Sequence, residues 1–138
     1  MSDVQDPAKR PCGSCPYRVD VPSGVWDPAE YAKLARYDAE TFDQPQALFA
    51  CHQADGRLCA GWVGCHDMDE SLAVRIAVMT GRLSVETAEA LLDYVCDVEL
   101  FATGTAAAAH GLADITDPSP EADVLRTRLR AKIEARAT

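Results

Sequence analysis

The sequence predicts a mainly α-helical fold in which an irregular N-terminal half with a short hairpin packs on a helical C-terminal half. Three observations carry that prediction. Apolar residues recur at helical spacing behind capping residues, mostly beyond residue 67. The first half is punctuated instead by proline, glycine and polar runs. Five of the six cysteines fall in that first half, before residue 66. The 138 residues suit a single domain over 1–138. Within it, 1–11 reads as a polar arm, 12–66 as the cysteine-bearing half, 67–118 as the helical half and 119–138 as an amphipathic basic tail helix.

The elements follow in order. Asp27, Pro28 and Glu30 start a helix that runs to about Tyr37: Asp27 caps, proline suits the first helical position, and Glu30 can close a capping box. Residues 38–47 are polar with Pro45 and read as loop or a short helical turn. Phe49–Asp67, "FACHQADGRLCAGWVGCHD", contains the hairpin, centred on Asp55-Gly56. A three-residue loop with Gly56 in the left-handed position sets Cys51 opposite Cys59. A two-residue turn sets His52 there instead, and an irregular knuckle is the remaining alternative. Asp67 or Asp69 caps a helix through "SLAVRIAVMT", which is apolar nearly all round, hence central, and ends at Gly81. Ser84 caps the next, "VETAEALLDYVCDVELF", with Val85, Ala88, Leu92 and Val95 on one stripe. "AAAAH" forms a short helix stopped by Gly111. "DITDPSP" links to a last helix, begun by Ser119, Pro120 and Glu121, with Ala122, Leu125, Leu129 and Ile133 on one face.

Composition narrows the function classes. The net charge of −9 disfavours binding to nucleic-acid phosphate. From Ser119 onward five basic residues face three acidic ones, so the tail is +2 and the preceding 118 residues carry −11. Nucleic acid would be met only through that basic helix, and a basic protein partner fits the acidic body. No apolar run approaches a membrane span, and "MSDVQDPAKR" does not resemble a signal peptide. Those two features predict a cytoplasmic protein with reduced thiols.

In that compartment six cysteines read as metal ligands, redox groups or core fillers rather than as disulfides. Cys12-Gly-Ser-Cys15 is a C-x2-C pair whose sulfurs can face one point, as in zinc ribbons and many iron–sulfur loops. With the favoured hairpin register, the predicted quartet is Cys12, Cys15, Cys51 and Cys59. His52, Cys65 and His66 are the alternates. Arg18 and Arg57 lie close in sequence to offset the charge of four thiolates. Cys65 can equally be a small buried hydrophobe, and Cys96, at the edge of a helical stripe, is expected to fill core. A histidine beside a ligand is more often a supporting group, which is the bland reading of His52. His66 is expected at the surface or in a cap, and His110 at a helix C-terminus. Tyr17, Trp26, Phe49 and Trp62 are expected to form the core around the metal.

Enzyme readings fare worse. The P-C-x-x-C of a zinc deaminase needs an upstream H-x-E, and no histidine precedes Pro11. A thioredoxin-type C-x-x-C needs a preceding strand, for which the arm has no room. No phosphate-binding loop, zincin or nucleophile-elbow motif is present, and the Cys and His supply suffices to close a metal shell. The expectation is therefore a non-enzymatic, metal-stapled module with structural zinc, serving protein interaction or regulation. The alternative is an iron–sulfur redox or oxygen sensor, which Cys15-Pro16 and the surrounding aromatics fit.

The pattern C-x-x-C-P-Y-R-x-D at Cys12–Asp20, F-x-C-H at Phe49–His52 and C-A-G-W at Cys59–Trp62 resembles an uncharacterised family of small cysteine-rich proteins of actinobacteria and their phages. The likeness covers residues 11 to about 82. It implies that Cys12, Cys15, Cys51, His52 and Cys59 belong to the signature while Cys65 does not, and it implies no activity. "CPYR" and "GVW" are also similar to fragments of the WhiB-like iron–sulfur regulators, whose cysteines are grouped more closely.

Overall fold

The computed structural model describes residues 4–50 and 57–137. Among these the fold is mainly helical: α1 (Pro28–Arg36), α2 (Ala60–Cys65), α3 (Leu72–Met79), α4 (Val85–Asp93), α5 (Gly104–Ala113) and α6 (Pro120–Ala137), with 3-10 turns at Thr41–Asp43 and Met68–Glu70. Residues 4–27, and the stretch between α4 and α5, are extended or turn, joined by isolated β-bridges rather than sheet.

The helices start where short polar side chains relieve the free N–H groups of the first turn. Ser71, Ser84, Thr103 and Ser119 accept from Val74, Thr87, Ala106 and Ala122 in α3, α4, α5 and α6. Asp27 precedes α1 without a side-chain cap, and Pro28 alone pre-sets that start. Asp67 caps the Met68–Glu70 turn, not α3. Gly81, at φ 78°, ends the α3 region in the left-handed conformation expected of it.

The tightest helix pair is α1 against α5. Tyr31 and Leu34 of α1 are buried against a face of small residues on α5, where Ala107 and Ala108 are also buried. A Cβ at Gly104 would overlap the Leu34 carbonyl, and one at Gly111 would overlap the Tyr31 ring. Gly111 therefore lies inside α5 instead of stopping it: close helix approach, not termination, is its reason for being glycine. The Tyr31 hydroxyl accepts from the N–H groups of Val25 and Trp26 at 3.1 and 3.0 Å, tying the preceding loop to this pair.

Two expectations are corrected here. The helix predicted from Ser84 through Phe101 stops at Asp93. Beyond it, Tyr94 to Leu100 alternate between half-buried and exposed, the period of extended chain. Leu100 bridges to Arg18, Val19 N–H donates to Glu99 O and Phe101 N–H to Tyr17 O. The predicted Val85–Leu92–Val95 stripe faces solvent, and Thr87 and Leu91 are the buried positions of α4. Cys96 sits in the extended run, half-buried, its thiol donating to Val98 O. The second correction concerns α3, which buries Ala73, Val74 and Ala77 but leaves Val78 and Met79 exposed, so it is amphipathic and not central.

Around the Phe49–Cys59 stretch, the described contact pairs Ala50 with Leu58, and Cys59 N–H donates to Phe49 O at 2.9 Å. Phe49 thus stands opposite Cys59, and Cys51, the partner predicted there, lies outside the described residues. The Asp55-Gly56 turn itself lies outside the described residues. The arm packs back on the body: Gln5 bridges to Arg57 and Tyr94 donates its hydroxyl to Lys9 O. The tail helix α6 buries Ala122 and Leu129 as predicted, while Ile133 is exposed, and its Arg126 guanidinium caps the Gly24 carbonyl. No helix among the described residues is long and apolar enough to cross a membrane.

Candidate metal centre

The Cys12–Cys15 segment is a tight turn, closed by Cys15 N–H on the Cys12 carbonyl at 3.0 Å. Arg18 locks it from behind. Its guanidinium donates to Pro11 O at 3.1 Å and to both Asp20 oxygens at 2.8 Å, a two-pronged grip that raises the Arg18 pKa and lowers that of Asp20. The Trp26 indole donates to Ser14 O at 2.7 Å inside the turn. The R-x-D spacing thereby fixes the carbonyl that enters the thiol turn, and Arg18 lies near both thiols. Arg57 instead clasps the arm through Asp6 O and Gln5 Oε1.

Cys59 arrives from the other side as the residue preceding α2. Its Sγ lies 3.9 Å from Cys15 Sγ, both side chains being buried. Gly61, the second residue of α2, lies directly under the Cys15 sulfur, which a Cβ there would strike, and against Tyr17. The A-G-W sequence is therefore a floor cut to admit a sulfur atom. The Cys12 thiol hydrogen-bonds to that of Cys15 and pulls its pKa down, yet the Cys59 thiol and burial outweigh it and the net shift is upward. Two thiols buried together resist ionisation on their own, and a coordinated cation reverses that balance, since coordinating thiols are deprotonated.

The pair fits one ion. Zinc–sulfur bonds of about 2.3 Å at tetrahedral angles put two sulfurs about 3.8 Å apart, against 3.9 Å here. A disulfide needs about 2.05 Å, and the five described cysteines are free. Among the described residues no three His, Cys, Asp or Glu side chains form a metal-holding group: Cys15 and Cys59 are the pair brought together, and Cys12, whose Sγ lies 3.8 Å from Ser14 Oγ, does not complete a group of three with them. Cys51 and His52, the predicted candidates, lie outside the described residues.

The structure separates the remaining alternates from this centre. Tyr17, fully buried, stands between: its ring packs on Gly61, and its hydroxyl lies 3.4 Å from His66 Nε2. On the far side Cys65 and His66 line a cavity of about 260 Å³ with Tyr37, Trp62 and Asp38. Burial, then the Asp38 charge, pushes the Cys65 thiol up to about 12, which suits neither ligation nor attack. His66, expected at the surface or in a cap, is the C-cap residue of α2 and its side chain is mostly buried. Its ring is packed edge-on to Tyr17, with Nδ1 3.7 Å from Asp38 Oδ1, and burial lowers its pKa against the opposing pull of that carboxylate. His110 bonds the Val21 carbonyl at 2.8 Å. Tyr17, Trp26, Phe49 and Trp62 are all core residues, as predicted. Gly61 and Asp38 are the participants that sequence reasoning passed over. The first carried a signal, glycine directly after a C-A pair in a helix start; Asp38, in a polar loop, carried none.

The family that matches this chain, over residues 7–130, is described as a family of unknown function (DUF6283). No curated protein and no solved structure matches it.

Proposed function

Because the chain belongs to a family of unknown function (DUF6283), membership brings no activity with it, and we propose that the protein is a metal-stapled interaction module. One zinc ion is held by Cys12, Cys15, Cys59 and Cys51, the finer motif likeness to actinobacterial and phage proteins being the source of the fourth position. The observation that carries this reading is the 3.9 Å separation of the Cys15 and Cys59 sulfurs over a glycine floor, a tetrahedral edge for a single ion. In a four-iron cluster each thiolate sits on its own iron and the sulfurs stand further apart, so this spacing argues against that cluster, while a two-iron cluster, with two thiolates on one iron, shares it and is the form the iron–sulfur alternative takes.

Bound zinc supplies folding energy and no chemistry, because four thiolates leave no open position for water or substrate. The chain's own residues do the rest. Arg18 lies near the thiolate charge, Gly61 makes room for a sulfur, and Tyr17, Phe49 and Trp62 exclude solvent. The acidic body then offers its surface to a basic partner protein, in the cytoplasm, where thiols stay reduced.

Metal analysis of protein purified without oxygen tests the reading. The expected result is a colourless protein with about one equivalent of zinc, whose removal by a chelator lowers the melting temperature. Brown protein with iron and acid-labile sulfide installs the cluster reading. Metal-free protein with a native melt removes both.

A further inference from the structure

The predicted stripe of Val85, Ala88 and Leu92 is present in α4, but it lies away from the core. Within the interaction-module reading, on which this rests, we propose that the outer face of α4 is the docking surface for a basic amphipathic helix of a partner protein, one with an apolar stripe flanked by Lys or Arg. α4 is fastened to the body through Thr87 and Leu91, its buried residues. At about 100° per residue, the side opposite that pair carries two parallel stripes. Val85 and Leu92 are 64% and 55% exposed, with Ala88 half-buried between them. Glu86, Glu89 and Asp93 run beside them at the same spacing of three and four residues, all exposed.

Folding alone does not account for these stripes. α4 contains no basic residue, and none of its three carboxylates has an ion pair among the described residues. Glu86 suits the positive N-terminal end of the helix. Glu89 repels a like charge three residues before it and another four residues after it, and Asp93 stands at the negative C-terminal end. Cationic side chains arriving from outside reverse both penalties, while apolar ones cover Val85 and Leu92. The two requirements run in register along about two helical turns, which a facing amphipathic helix meets with its own repeat. A second copy of this chain does not meet them. Each copy carries −9 and repels the other, and the basic helix α6 already buries Ala122 and Leu129 on its own body.

The probe is a synthetic peptide of about 18 residues, long enough to form a helix, with leucines on one helical stripe and lysines elsewhere. Titrated into the ¹⁵N-labelled full chain, it is expected to bind saturably and to shift the amide signals of residues 85–95. A peptide of the same composition in scrambled order is expected to bind at least about tenfold more weakly, and one with glutamates for lysines not to bind. Leu92→Ser, and Glu89→Gln with Asp93→Asn, are each expected to weaken the leucine–lysine peptide about tenfold. Both sets of positions are exposed, and an unchanged melting curve checks that the variants fold; the wild-type map of shifted signals stands without them. Equal binding of the scrambled peptide, shifts centred outside α4, or wild-type affinity in both folded variants overturns the proposal. So does a dimer of the protein alone that Leu92→Ser dissolves, which assigns the face to a second copy. Zinc is measured on the same samples: zinc-loaded protein that ignores the peptide loses this surface and keeps the staple, whereas metal-free native protein that binds it at α4 keeps the surface and loses the staple.

Discussion

Cys15 is the most constrained residue of the molecule. Its sulfur meets Cys59 on one side, Cys12 on another and the Gly61 backbone below. Such a position tolerates no added atom, so Gly61→Ala is expected to displace the sulfur and lower zinc affinity by roughly 10–100-fold, as losses of ligand-supporting groups do. Competition against a chromophoric chelator measures it. Cys59→Ser is expected to lose stoichiometric zinc and the wild-type melting temperature, because a damaged shell forfeits metal-linked folding energy. Cys96→Ser, which loses only a thiol contact to Val98 O, is expected to keep both. Identical zinc content in the two serine variants would contradict the ligand assignment.

Among the elements, α1 and α5 depend on each other through one side chain beyond the end of α1. The Asp38 carboxylate accepts from Gly104 N–H at 2.8 Å, Thr105 N–H at 2.7 Å and the Thr105 hydroxyl at 2.6 Å, at the N-terminus of α5. Burial pushes its pKa up, but those bonds and the nearby His66 outweigh it, and the folded carboxyl titrates below its ordinary value. A carboxyl lowered by folding stabilises the protein above its unfolded value, near 3.9, and stops doing so as pH falls through the folded value. Asp38→Ala is therefore expected to cost about 1–2 kcal/mol at neutral pH. The gap between variant and wild type in urea unfolding should close as pH drops below about 4. A gap that persists undiminished in acid would mean the carboxylate charge is not what α5 uses. Gly111→Ala, against the Tyr31 ring, is expected to cost about 1–3 kcal/mol by overpacking, read from the same unfolding curves.

At the scale of the whole molecule, the irregular half has few regular backbone hydrogen bonds to hold it. Its segments are joined by single bridges, Gln5 to Arg57, Ala50 to Leu58 and Arg18 to Leu100, and by the aromatic cluster of Tyr17, Phe49 and Trp62. The tail helix packs beside the thiol turn, with Arg128 and Lys132 lining a depression that Gly13 and Ser14 complete. Removing zinc is expected to loosen residues 12–26 and 57–65 first. Hydrogen exchange should rise there while the α1–α5 pair stays protected, and the melting temperature should fall by at least about 10 °C. Uniform exchange across both halves after chelation would mean the metal is not a local staple.

Local chemistry made much of this legible in the sequence. The helix starts at Ser84 and Ser119 are the predicted ones, because a cap is a contact between a side chain and a backbone group three residues away, whereas Ser71 caps α3 in place of Asp67 or Asp69 and Thr103 caps α5 where the sequence marks no start. The turn of Cys12–Cys15 and the burial of the four flanking aromatics were readable for the same reason. Tertiary structure decided the rest. Residues 94–101 carry helical spacing in their apolar residues, yet they run extended because Tyr17 and Val19 offer backbone partners from the other end of the chain. Gly111 looks like a terminator until the Tyr31 ring is placed against it. A sequence pattern records what a residue prefers among its near neighbours; which distant surface arrives to satisfy or override that preference is settled only when the chain closes on itself.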